Sequence, residues 1–260
     1  MPDRPQRAED AARDSVVGWQ VALGVALLIG WEIIGRAGGE RWVSEPSEIA
    51  VKLWTWLGGT LYVHLSATVT ELVSGFVIGT SLGIIAGMML GRSPVLATIL
   101  RPVIVGVYSV PLVALAPLFI MFFGLGYLPK IVLVAIVTFF LLFFNTFAGA
   151  QRIDEDLVHS MQIMGAGRWE IFRKLVAPAT AVWIVGGIKT ALPYALVATV
   201  TGELLATRAG LGYLLSQAAE QYDMTSVYAV LLILMVIGLS LSEAANRIER
   251  RVLRWRHQAE

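Results

Sequence analysis

Long apolar runs separated by short charged intervals dominate the chain. A bilayer-crossing helix needs about 20 largely apolar residues, because roughly 30 Å of hydrocarbon is covered at about 1.5 Å per residue. Six stretches meet that requirement: 16–35, with Glu32 near its end; 67–90, with Glu71 near its start; 102–123; 130–150; 178–205; and 227–245. The pattern predicts an all-α membrane protein with six transmembrane helices. Residues 16–246 form one membrane domain in this reading, between terminal tails at 1–15 and 247–260. The first run is also open to a reading as a cleavable signal peptide. Its length, and the mixture of acids and bases before it, favour a retained helix.

Lys and Arg positions set the expected orientation. One side of the six runs collects Arg4, Arg7, Arg13, Arg92, Arg101, Arg152, Arg168, Arg173, Lys174, Arg247, Arg250, Arg251, Arg254 and Arg256. The other side has Arg36, Arg41, Lys52, Lys130 and Arg208. Both termini are therefore expected in the cytoplasm. Composition agrees with a bilayer as solvent: 57% of the 260 residues are hydrophobic and 15% charged, against roughly 25% charged in soluble domains. Mean hydropathy is +0.71. With no cysteine there is no disulfide and no thiolate metal site. A net charge of +1 without a large basic patch gives nucleic acid no footing.

The interval 151–178, QRIDEDLVHSMQIMGAGRWEIFRKLVAP, is too polar to span and too patterned to be a slack loop. Asp154, Glu155 and Asp156 suit the positive end of a helix dipole. Leu157, Val158, Met161 and Met164 then make an apolar stripe, which Gly165, Ala166 and Gly167 break. Trp169, Phe172 and Val176 repeat on one face of a second short helix. A helix, glycine turn and helix of this kind fits either a partner's groove or the membrane surface.

This interval resembles the "EAA" loop of ABC importer membrane subunits, whose pattern is Glu-Ala-Ala, three residues, Gly, nine residues, then Ile-x-Leu-Pro. Gly165 takes the glycine position and Pro178 the proline, with Leu175, Val176 and Ala177 before it; His159, Ser160 and Met161 stand where the triplet would be. Ser109-Val110-Pro111, Ala116-Pro117-Leu118, Phe123-Gly124-Leu125-Gly126, Thr201-Gly202-Glu203-Leu204-Leu205, Gly210 to Leu215 and Glu249 to Trp255 resemble the nitrate/sulfonate/taurine branch of these permeases. The resemblance covers about 66–255.

It implies a type I ABC importer permease fold with a cytoplasmic coupling helix between spans four and five. It also implies a second, identical permease subunit, two cytoplasmic ATPase subunits and an external solute-binding protein, in a bacterial inner membrane. Asp156, His159, Ser160, Met161, Met164, Gly165, Ala166, Trp169 and Pro178 would be the coupling residues. The chain has no Gly-x-x-x-x-Gly-Lys-Ser/Thr loop, so ATP and Mg would be bound by the partner and no cofactor or metal by this chain.

Charge within a bilayer marks a cavity or a partner. Lys189, eleven residues past Pro178, is read as the deepest charge; it either attracts an oxyanion substrate or pairs with a carboxylate. Glu203 and Glu71 are expected near the external end, Glu203 as a gate or a helix-to-loop hydrogen bond. Leu211 and Tyr213, behind Gly210 and Gly212, suggest a partly buried re-entrant turn beside that gate. Gly75, Gly79, Gly83 and Gly87 form a small-residue stripe suited to close helix packing. An intramembrane enzyme fits poorly, since His64, His159 and His257 are dispersed; a secondary transporter is the nearer rival.

Overall fold

In the computed structural model, residues 4–38, 43–205 and 208–254 are described, and every regular element among them is helical. The expectations placed on 1–3, Arg41 and 255–260, Trp255 and Arg256 among them, lie outside the described residues. Five helices are long and apolar enough to cross a bilayer, and a bent pair makes a sixth when taken as one broken span.

Helix α1 (Arg4–Gly38) carries the N-terminal tail as a continuous extension of the first span. Its apolar side chains point outward, Trp19 at 78% and Leu27 at 66% exposure, as a lipid-facing helix requires. Its far end is clipped to the rest. Trp31 Nε1 donates to the Ser44 carbonyl at 3.1 Å, and Glu32 accepts from the Ser47 amide and hydroxyl at 3.1 and 2.8 Å. Ser47 opens α2 (Pro46–Trp56), a short helix that the span pattern did not anticipate because eleven residues are too few to register.

The core is a sandwich of three long helices: α3 (Thr60–Gly91), α6 (Tyr127–Gln151) between its neighbours, and α9 (Ala177–Leu205). The glycine stripe makes the first contact possible. A Cβ on Gly75 would lie 2.6 Å from the Val134 Cβ, and one on Gly83 would lie 2.6 Å from the Phe139 carbonyl oxygen. The backbone of α3 thus rests directly on α6, within one subunit. On the other side of α6, a Cβ on Gly149 would lie 2.6 Å from Trp183 of α9. Asn145 of α6 donates to the Leu141 carbonyl of its own helix, and its side chain lies against Gly187 of α9.

The third span is broken. Helix α4 (Pro94–Tyr108) stops before Pro111, a 3-10 turn covers Leu112–Leu115, and α5 (Ala116–Phe123) continues at 72° to the first half. Pro111 has no amide hydrogen to donate to Val107, so the α-helical ladder ends there. Helix α7 (Glu155–Ile163) follows α6, and α8 (Arg168–Ile171) follows the Gly165 turn. The expected second short helix is not separate: α8 runs through a π-helical turn, Phe172–Val176, straight into α9. Pro178 lacks the amide that would bond the Lys174 carbonyl, and the Ala177 amide instead reaches back five residues to Phe172. Beyond α9, the expected re-entrant turn is a ten-residue helix, α10 (Leu211–Glu220), and α11 (Met224–Val252) closes the described chain.

Candidate functional site

Two constellations sit at opposite ends of the bundle. At the end where α6 leaves it, α7 and α8 form a compact hairpin. Asp154 caps α7, accepting from the Asp156 amide at 2.9 Å. Val158, Ile171 and Val176 are buried together with Ile153, and Met161 and Ala166 pack against them. The apolar stripe read from the sequence therefore divides: Val158 and Met161 turn inward, whereas Leu157 and Met164 face out. Gly165 sits at φ +85°, where a side chain would be strained, and its amide donates to the Gln162 carbonyl at 2.9 Å. The Ala166 amide donates to the Met161 carbonyl at 3.0 Å and completes the turn.

The hairpin tip is apolar and uncovered. Ile163 is 87%, Met164 77% and Trp169 71% exposed, with Trp169 stacked on Phe172 at 5.4 Å. His159 and Ser160 are exposed on α7, His159 Nδ1 lying 3.4 Å from Gln162 Oε1. Pro178 is half-buried at the start of α9. Ile163 was missed in the sequence because it lies off the α7 stripe; as the last residue of that helix it stands exposed at the tip.

At the opposite end, Glu71 of α3, Lys130 of α6 and Glu203 of α9 are buried together. Lys130 forms an ion pair with Glu71. The Thr68 hydroxyl donates to Glu203 Oε1 at 2.7 Å and accepts from the Leu211 amide at 2.9 Å. The Gly212 amide donates to Glu203 Oε2 at 2.7 Å. His64 Nδ1 accepts from the Gly210 amide at 3.1 Å, and its ring stacks on Tyr213. The first amides of α10, which have no partner within their helix, are thus satisfied by side chains of α3 and α9. Glu203, Leu211 and Tyr213 come together here. Thr68, His64 and Lys130 were not singled out by the sequence, because their importance arises only when three distant helices meet.

Lys189 belongs to neither group, and the expectation that it is the deepest charge is corrected. Its ammonium pairs with Glu249 of α11 at 2.8 Å, and its side chain is 40% exposed. The continuous helix Arg168–Leu205 has 38 residues, about 57 Å long and well beyond the roughly 30 Å of hydrocarbon. Counting depth from Pro178 placed Lys189 too far in. It lies level with the polar last turns of α11, towards the hairpin end. Among the described residues, the buried charges are those of the Glu71–Lys130–Glu203 cluster.

The long helices, broken third span and projecting apolar hairpin describe a membrane-embedded helical bundle with an uncovered apolar hairpin at one end. The chain belongs to the family described as "Binding-protein-dependent transport system inner membrane component", which matches residues 79–254. It is 33% identical to the riboflavin transport system permease of Chloroflexus aurantiacus, over 81% of this chain and 79% of that protein. It is 29% identical to a putative aliphatic sulfonates transport permease of Bacillus subtilis, over 94% and 90%. With the taurine transport system permease of Escherichia coli it shares 26% identity over 90% and 87%.

The fold is that of type I ABC importer permeases. It is similar to an inward-facing form of the MetNI methionine ABC transporter, with a TM-score of 0.60 and 20% identity over 74% of this chain and 97% of that one. The chain is accordingly a multi-pass inner-membrane protein and not an enzyme; ATP hydrolysis in this family resides on a separate subunit.

Proposed function

We propose that two copies of this chain form the translocation pathway of an ATP-driven importer for a small anionic solute of the sulfonate, taurine or nitrate type. An external binding protein delivers the solute at the α10 end. Two ATPase subunits, which hold ATP and Mg, grip the hairpin at the other, cytoplasmic end, where both chain termini also lie. The observation that carries this reading is the uncovered apolar tip of Ile163, Met164 and Trp169 on a hairpin with its own buried core. A groove in a partner protein is the natural cover for such knobs. Because α8 continues into α9 without a joint, displacement of the tip tilts α9 as a rigid lever between inward- and outward-open states. The sulfonate and taurine relatives support the anionic choice of solute.

Reconstitution with the ATPase and binding protein tests both parts. Gly165→Val forces a β-branched residue into the left-handed region, at about 1–2 kcal/mol. The expected result is that nucleotide hydrolysis loses its dependence on the loaded binding protein while uptake falls. Normal stimulation and uptake in that variant overturn the coupling role. Uptake of taurine or an alkanesulfonate supports the solute class; uptake of riboflavin alone overturns it and leaves the coupling role standing.

A further inference from the structure

A groove of about 440 Å³ opens between the last turn of α3 and the hairpin. Its floor includes Val158 and Ile171, both buried, and Met88 and Met89 of α3 form one wall. Arg92 and Arg168 stand at the rim, exposed, and none of the ion pairs among the described residues involves either one. The apolar run of α3 ends at Gly91, directly before Arg92. The groove therefore straddles the level where hydrocarbon gives way to headgroups, with its apolar wall on the hydrocarbon side and two guanidinium groups on the water side.

We propose that this groove binds one anionic phospholipid, its phosphodiester held between Arg92 and Arg168 and an acyl chain lying on Met88 and Met89. Guanidinium forks match phosphate oxygens in geometry as well as in charge. Basic pockets at the cytoplasmic ends of transmembrane helices collect anionic headgroups for the same reason. A soluble acidic partner would satisfy the arginines but leave the methionine wall without a match. The lipid bridges α3, part of the fixed core, to the hairpin; on the reading of that hairpin as the motor's handle, bilayer composition would set how freely it moves.

The test uses the full chain purified alone in mild detergent, so that it is independent of solute and motor. Phosphatidylglycerol is titrated in, with phosphatidylcholine as the neutral control, and bound lipid is counted by native mass spectrometry. One tight phosphatidylglycerol per chain is expected. Arg92→Gln and Arg168→Gln should each weaken it about fivefold and together about twenty-five-fold, while the double Arg→Lys variant, which keeps the charge and loses the fork, falls between the original and the double Gln variant. The melting temperature of each variant, unchanged, separates lost binding from lost fold. Equal binding of phosphatidylcholine, or undiminished phosphatidylglycerol binding by the double Gln variant, overturns the site. So does displacement by soluble glycerophosphate at matched concentration, which would make the methionine wall irrelevant.

Discussion

Thr68 is small, and its hydroxyl sits where three helices meet. It donates to Glu203 and accepts from the first amide of α10. Thr68→Val keeps the shape but leaves a buried carboxylate oxygen and a buried amide short of a partner, at about 1–3 kcal/mol each. A clear fall in the melting temperature of the purified chain is expected, larger than that from Thr201→Val, whose hydroxyl bonds only its own helix. Lys189 gives the contrasting case. Paired with Glu249 and 40% exposed, it does not sit in the buried interior. Lys189→Met is expected to leave uptake within about twofold, in keeping with a partly exposed ion pair; a collapse of uptake would return Lys189 to the pathway. Residue type announced that these charges mattered. Their depth was illegible, because it depends on how far α9 projects from the bilayer, and no local pattern encodes that.

Among the elements, the pairing of α3 with α6 was the more legible. Glycine at every fourth position is a local signal, and it marks a face that only another backbone can approach. Gly79→Leu would drive a side chain into the Ala135 turn of α6, costing about 3 kcal/mol or more by overpacking. The expected readout is loss of folded protein from membranes, whereas Gly106→Leu, which has nothing within 4 Å of its Cβ position, should leave the yield unchanged. The hairpin was half legible. Its glycine turn and apolar residues stood out, but which knobs faced inward depended on packing against Ile153 and Val176. The merger of α8 into α9 was hidden by Pro178, which usually signals a helix boundary and here is accommodated by a π turn. Helix α2 left no span signal at all.

At the scale of the molecule, the hydrogen bonds and ion pairs that join different helices lie towards the two ends, whereas buried threonines such as Thr138 and Thr199 bond their own helices. The α10 end is pinned by the Glu203 and Thr68 bonds, while the hairpin end offers exposed knobs on a rigid arm. That asymmetry fits a body held at its solute-receiving end and levered from the other. The number of spans and the family were legible because both rest on composition and on motif order along the chain. The absence of cysteine makes the decisive measurement clean. Met164→Cys supplies a single thiol at the hairpin tip, and Tyr222→Cys, equally exposed at the opposite end, is the control. With the ATPase subunit carrying a short thiol-directed cross-linker, position 164 is expected to join to it in membranes, in a yield that changes when ATP is added. Position 222 is expected not to join. No cross-link from position 164 under any nucleotide condition, in vesicles that still take up solute, would contradict the account.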